Sequence, residues 1–211
     1  LNLLLIALLV AVTTHNTIGF HSERIEKAMQ VQASNLMGGD LVVRSPVAEP
    51  TLSASNVAPE TIRNAVAIEF SSVVMAGDAM QLSSIKAVSE NYPLKTPLKV
   101  ADQPFAPDQK IEHGPAAGKA WLEARLLNIL AVQVGDMVEV GDVELVVEKV
   151  LTFEPDRGGN FYSFVPRLMM SNQDLHKANL IQTGSRVEYY CVILCGIAHI
   201  LRKGYAFRIG R

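Results

Sequence analysis

Residues 137–151 read MVEVGDVELVVEKVL, and this short stretch decides how the rest of the chain is taken. Gly135 and Asp136 lead into an extended run, Met137 to Val140, then come Gly141 and Asp142, then a second extended run from Val143 to Leu151. A two-residue Gly-Asp connection suits a primed hairpin turn, in which glycine supplies the positive φ. The centre of the chain is therefore read as sheet, and the neighbouring segments are tested against that. Upstream, residues 65–75 (AVAIEFSSVVM) and 81–88 (QLSSIKAV), joined by Ala76-Gly77-Asp78, predict another antiparallel hairpin. Downstream, residues 154–159 (EPDRGG) form a loop, Phe161 to Val165 is extended, and Leu168 to Leu175 starts a new element with Asp174 near a short helix. Residues 185–195 (SRVEYYCVILC) give a strong final strand. Between the hairpins, Ala116 to Leu130 is predicted helical, with Trp121, Leu122, Leu126, Ile129 and Leu130 near one face. Residues 46–59 carry little signal, and 91–110 are Pro-rich and read as an irregular surface excursion.

The N-terminus is different in kind. Leu1 to Val12 is almost wholly apolar and runs without a break into 18–36, where Ile18, Ile25, Met29 and Leu36 fall at helical spacing among charged residues. Twelve helical residues span only about 18 Å, short of a hydrocarbon core of roughly 30 Å. No Lys or Arg precedes Arg24, which speaks against a secretion signal. The segment is read as the end of a transmembrane helix that continues outward as one rigid element. Gly38-Gly39 stops the helix, and residues 40–45 form a strand closed by Pro46.

The 211 residues suffice for one medium domain or two small subdomains. Hydrophobic residues make up 49% and charged ones only 19%, with the apolar excess at the two ends. A net charge of -2 and the lack of a basic stripe exclude a nucleic-acid binder. Two cysteines, Cys191 and Cys195, are too few for a disulfide framework and, on one strand, too far apart to bond.

Screening for chemistry yields no catalytic, cofactor-binding or metal-binding residue. His15, His21, His113, His176 and His199 are scattered, with no metal-ligand spacing. Residues 114–120 (GPAAGKA) come near a phosphate loop. They are one residue short, have Ala where the Mg²⁺-binding hydroxyl belongs, and lose a backbone donor at Pro115. Asp136, Asp142, Glu154 and Asp156 lie in turns or beside glycines, where turn chemistry alone favours Asp. Arg157 and Arg167 flank residues 161–166 (FYSFVP) and are read as taking part in a local ion pair.

Four segments, in order, carry a family resemblance: NLMGGDLVVRSP, SSVVMAGDAMQLSSIKAVSENYPL, HGPAAGKAWLEARLLNILAVQVGDMVEVGDVELVV, and LTFEPDRGG with FVPRLMMSNQDL and LIQTGSRVEYY. They resemble the FtsX/MacB-type ABC transporter permeases, in particular their YbbP-like branch. The resemblance covers residues 1–195 and is most specific at EPDRGG, PRLMM and the GGDLVVRSP junction. It implies an α+β fold: a MacB-like periplasmic core with an α/β subdomain near the membrane and a smaller β-rich subdomain at about 111–180, preceded by a transmembrane and stalk helix. The expected division is 1–20 as a truncated transmembrane helix, 21–37 as the stalk, 38–195 as the periplasmic domain and 196–211 as an atypical basic tail. The tail, with Arg202, Lys203, Arg208 and Arg211, leaves the family pattern.

The same resemblance implies a protein of the bacterial inner membrane that is not itself an enzyme. It pairs with a cytoplasmic ABC ATPase, works as a permease homodimer, contacts membrane lipid, has no nucleic-acid partner, and passes ATP-driven motion to the periplasm. For the YbbP-like branch it implies hydrophobic or lipid-like cargo and a periplasmic esterase partner. The alternatives are a free-standing anchored binding or chaperone module and, third, a hydrolase.

Overall fold

The structure is a computed structural model. It describes residues 41–45, 52–53, 63–157, 165–181, 187–194 and 208–209, with Gly39 and scattered positions between 6 and 29. Those scattered positions are helical, and Ile6, Leu9, Val12, Phe20, Ile25 and Met29 among them are exposed. Among the described residues no helix is long and apolar enough to cross a membrane. The continuity of the expected span and stalk lies outside the described residues.

The fold is α+β and mostly sheet. The strands are β1 (Leu41–Ser45), β2 (Leu52–Ser53), β3 (Arg63–Ala76), β4 (Ala79–Val88), β5 (Leu98–Ala101), β6 (Gln109–Ile111), β7 (Lys119–Glu123), β8 (Met137–Val140), β9 (Val143–Phe153), β10 (Arg167–Ser171), β11 (Val187–Leu194) and β12 (Arg208–Ile209). Two short helices, α1 (Ala124–Leu130) and α2 (Asn172–Leu175), follow β7 and β10 directly. Both expected hairpins form, β3 with β4 and β8 with β9. In each turn glycine alone takes the positive φ, +56° at Gly77 and +60° at Gly141, the pattern of a turn with glycine at its first central position.

Ten strands form one sheet, and part of it closes on itself. β3 pairs β4, β4 pairs β10 in parallel, β10 pairs β7, β7 pairs β9 in parallel, β9 pairs β8, and β8 returns to β3. The result is a six-stranded barrel. β11 and β1 extend it beyond β3, and β5 and β6 extend it beyond β9. Because side chains alternate along each strand, the barrel has two faces and two cores. Ile68, Phe70, Ile85, Ala87, Leu122, Val138, Val147, Leu168 and Met170 fill the inside, sealed by Leu126, Leu127 and Leu130 of α1. Trp121, Met169, Val88, Tyr92 and Tyr190 belong to a second core on the outer face.

Two expectations need correction. Trp121 and Leu122 are not helical: residues 119–123 are strand, and the helix begins only at Ala124. Hydrogen bonding from β10 on one side and β9 on the other overrides the local preference of a short segment. The excursion at 91–110 contains β5 and β6, which lengthen the sheet edge. A Cβ on Gly39 would collide with Val192 Cγ1 of β11, so glycine there serves close packing, while the helix end that Gly38-Gly39 was read to mark lies outside the described residues. Gly38 lies outside the described residues, as does Cys195; Cys191 is buried in β11.

Gly141 and Gly77 separate two requirements in one experiment. Both have positive φ, but a Cβ at Gly141 would strike Ala178 O and Leu180 while one at Gly77 meets nothing within 4 Å. Gly77→Ala should cost about 1–2 kcal/mol, the left-handed strain alone. Gly141→Ala should cost clearly more in urea unfolding; equal losses would refute the packing role of that turn.

Candidate functional site

The barrel's outer face carries a row of residues, one per strand. In register they are Glu188 (β11), Glu69 (β3), Lys86 (β4), Met169 (β10) and Trp121 (β7). Next to this row lie Ser84 and Arg167, also opposite each other. Charged groups are thus placed where a second core requires apolar ones, and each must find a partner or leave a large desolvation cost.

The segment after β9 provides most of the partners. Lys86 Nζ donates to Glu154 Oε1 at 2.5 Å, Asp156 Oδ2 at 2.7 Å and Tyr92 Oη at 3.0 Å. That uses all three donors of the ammonium. Tyr92 Oη in turn donates to Asp156 Oδ1 at 2.6 Å. Arg167 Nη1 reaches Glu69 Oε1 at 2.6 Å and Ser84 Oγ at 2.7 Å. Its Nε lies 3.0 Å from Glu154 Oε2, an ion-pair distance without hydrogen-bond alignment. Arg157 Nη2 binds Glu123 Oε2 at 2.9 Å, and the same carboxylate oxygen accepts the Arg167 backbone N–H at 3.1 Å. The side chains of Lys86, Glu154 and Arg167 are at most 3% exposed.

Electrostatics follow from that burial. Burial pulls the Lys86 ammonium down, but Asp156 and Glu154 outweigh it and its pKa stands above the ordinary value. Burial raises the Glu154 carboxyl, yet Lys86 and Arg167 hold it at about 2, against an ordinary 4.5. Burial, then the Asp156 and Glu154 charges, push the Tyr92 hydroxyl well up, so it remains a donor. A lysine acting as base or nucleophile needs a lowered pKa and an open approach. Lys86 has neither, and every group in the seam is already committed to another. The arrangement binds the loop after β4 and the segment after β9 onto β3, β4, β7 and β10.

The sequence reading placed Glu154 and Asp156 in turn chemistry and Arg157 and Arg167 in a local pair. The structure corrects both. Glu154 and Asp156 are the anions of the seam, and the pairs are long-range: Lys86 with Glu154 across 68 positions, Arg167 with Glu69 across 98. Asp136 does act locally, accepting the Gln133 N–H at 2.8 Å. The residues missed, Glu69, Lys86 and Glu123, leave one trace in sequence: a charge inside an otherwise apolar or Ser-rich strand.

The phosphate-loop near miss is also accounted for. Gly118 N–H donates to the Asp174 carboxylate at 2.6 Å, and Lys119 pairs with Glu148 at 2.5 Å. A carboxylate and a strand thus hold what an anion-binding loop would leave free. A cleft of about 710 Å³ beside the Tyr92 loop is lined by Arg63, Glu90, Glu112 and His113 among others, a mixed-charge wall with no paired chemistry. Among the described residues no group of three or more His, Cys, Asp or Glu could hold a metal ion.

No family model matches the chain. Over 184 residues it is 33% identical to the ABC transporter permease YbbP of Escherichia coli (strain K12). The chain is a relative of the ABC transporter permeases. The match takes in 87% of the chain but 22% of that permease, so the chain spans about a fifth of its relative's length. Among solved structures, a permease-protein domain from Porphyromonas gingivalis superposes with a TM-score of 0.42 at 10% identity, covering 81% of this chain and 89% of that one.

Removing one member of the seam leaves the others buried and unpaired. Lys86→Met or Arg167→Met should lower stability by about 3–5 kcal/mol, measured by urea unfolding. Lys86→Met with Glu154→Leu should recover part of that loss, because the second change removes the stranded charge. For Glu154, whose folded pKa is depressed, the stabilisation is complete above about pH 4.5 and lost as pH falls toward 2. The melting temperature should fall across that window, and less steeply in Glu154→Gln; parallel acid profiles would refute the assignment.

Proposed function

We propose that the chain is the extramembrane domain of an ABC permease subunit, and that it relays motion rather than performing chemistry. The observation that carries this reading is the 33% identity to a permease across 87% of the chain. Two features of the molecule support a relay. The closed barrel and the buried seam make the domain stiff, since each seam bond joins segments far apart in sequence. No group in the seam is free to react. On this reading the domain stands in the periplasm of an inner-membrane protein, on a helix continuous with a transmembrane span, and the 38–195 unit moves as a whole. ATP hydrolysis by a cytoplasmic partner subunit drives it, in a permease homodimer whose cargo is hydrophobic or lipid-like and is passed to or from a periplasmic esterase.

The test begins with the full-length gene product, tagged and purified in detergent. Co-purification of an ABC ATPase, identified by mass spectrometry, is the expected result; recovery of the tagged protein without any ATPase refutes the pairing. The relay itself is tested by inserting a flexible Gly-Ser stretch of about six residues between positions 37 and 41. The insertion should leave ATP hydrolysis near normal while abolishing the nucleotide-dependent change in distance between spin labels on two domains. Retention of that change would sink the relay and leave the likeness to the permease untouched.

A further inference from the structure

The loop between β5 and β6 holds a phenylalanine where a tight turn has little use for one. Ala106 N–H donates to Gln103 O at 3.1 Å, closing a four-residue turn with Pro104 and Phe105 at its centre. Proline fixes a negative φ at the first central position, and Phe105 has φ +68° at the second. That is a type II turn, whose second central position calls for glycine or asparagine. A bulky side chain there strains the backbone. The ring adds no burial in exchange, since Phe105 is 97% exposed. The loop beneath it is nonetheless held firmly. Asp102 accepts from Lys149 Nζ at 2.7 Å and from Gln109 Nε2 at 2.8 Å, and Ala106 packs against the inner core. Phe105 is a fixed knob.

A groove of about 530 Å³ lies beside the knob, between this loop and the C-terminal end of α1. Pro104, Leu127 and Val132 are among its walls. Gln103, Asn128 and Gln133 also line it, and all three are exposed. Residues 103–107 and 126–135 contain no Asp, Glu, Lys, Arg or His, in a chain that is 19% charged. The result is an uncharged face bearing one protruding ring.

We infer that this face is the contact through which two copies of the chain meet about a twofold axis. The Phe105 ring of each copy enters the groove of the other. Knob and groove lie side by side, so a twofold rotation brings each against its counterpart. Around such an axis a charged side chain faces its own like, and this face carries none. A carboxamide both donates and accepts, so Gln103, Asn128 and Gln133 can pair with their own copies. A lipid surface is the poorer occupant. Asp102, Asp108 and Asp136 border the two segments, and Arg125, the remaining border residue, is turned to Glu123 at 3.6 Å. The contact gives a surface to the homodimer of the proposed function and rests on that part of it. ATPase co-purification without the contact would leave the permease reading standing; the contact without an ATPase would leave only the dimer.

The full chain in detergent micelles, with p-benzoylphenylalanine in place of Phe105, tests the contact directly. Photolysis should give a covalent dimer whose cross-link maps by mass spectrometry to residues 127–134 of the other copy. Phe105→Asn substitutes a residue at ease with positive φ. It should unfold at the same or a higher urea concentration, while its dimerisation, read by sedimentation, weakens about tenfold or more. Asn128→Lys sets like charges together across the axis and should weaken the dimer without moving the urea midpoint. Cross-links confined to one chain or mapped elsewhere overturn the proposal, as does dimerisation unchanged in Phe105→Asn. So does a lower urea midpoint for that variant, which would make the ring part of the fold. A chain monomeric at every concentration overturns it too, including one that binds phosphatidylethanolamine vesicles through Phe105 instead.

Discussion

A lysine and an arginine held within a second hydrophobic core set the terms for the rest of this structure. Lys86 and Arg167 sit on neighbouring parallel strands, out of water, and both charges converge on Glu154. Burying an ion pair is not in itself a strong source of stability, because desolvation takes back much of the Coulombic gain. What it provides is selectivity. Only one arrangement of β3, β4, β10 and the segment after β9 satisfies all these groups together, and any slip of register strands a charge. The inner core of aliphatic side chains would tolerate considerable rearrangement; the outer face would not.

This division makes for a stiff domain. The inside of the barrel supplies bulk burial, with α1 as its plug. The outside supplies fixed points: Arg157 and Arg167 share Glu123, Tyr92 ties its loop to Asp156, and Asp174 holds the Gly118 loop. Even the bulge in β9 is put to use. The register skips Glu148 between Ala120 and Trp121, and its carboxylate accepts the Trp121 indole N–H at 2.9 Å.

Both hairpins were legible from sequence because glycine at a tight turn is a local and strong signal, while the α+β class came with the family resemblance. The strand at 119–123 was not legible. Ala120, Trp121 and Leu122 fit a helix face as well as a buried strand, and their neighbours in the sheet come from β9 and β10, later in the chain. Closure of the barrel was invisible for the same reason. The seam was half legible: EPDRGG and PRLMM stood out as family segments, but their charges looked local because their partners lie up to 98 positions away. Lys86 within QLSSIKAV gives a period-2 pattern no reason to bury it, and only the fold shows what covers its ammonium.

The order of the strands bears on how the chain comes to be folded. β10 lies between β4 and β7, both of which leave the ribosome well before it. The two earlier strands must therefore stay apart, their edges open, until residues 167–171 arrive to separate them. Contacts of such long sequence separation slow folding and prolong exposure of unpaired edges. In a β3–β4 hairpin formed before β10, Lys86 stands opposite Glu69 and the edge from Ser84 to Val88 waits uncovered for residues 167–171. Opposite charges on that face favour solution over self-association until its neighbour is made.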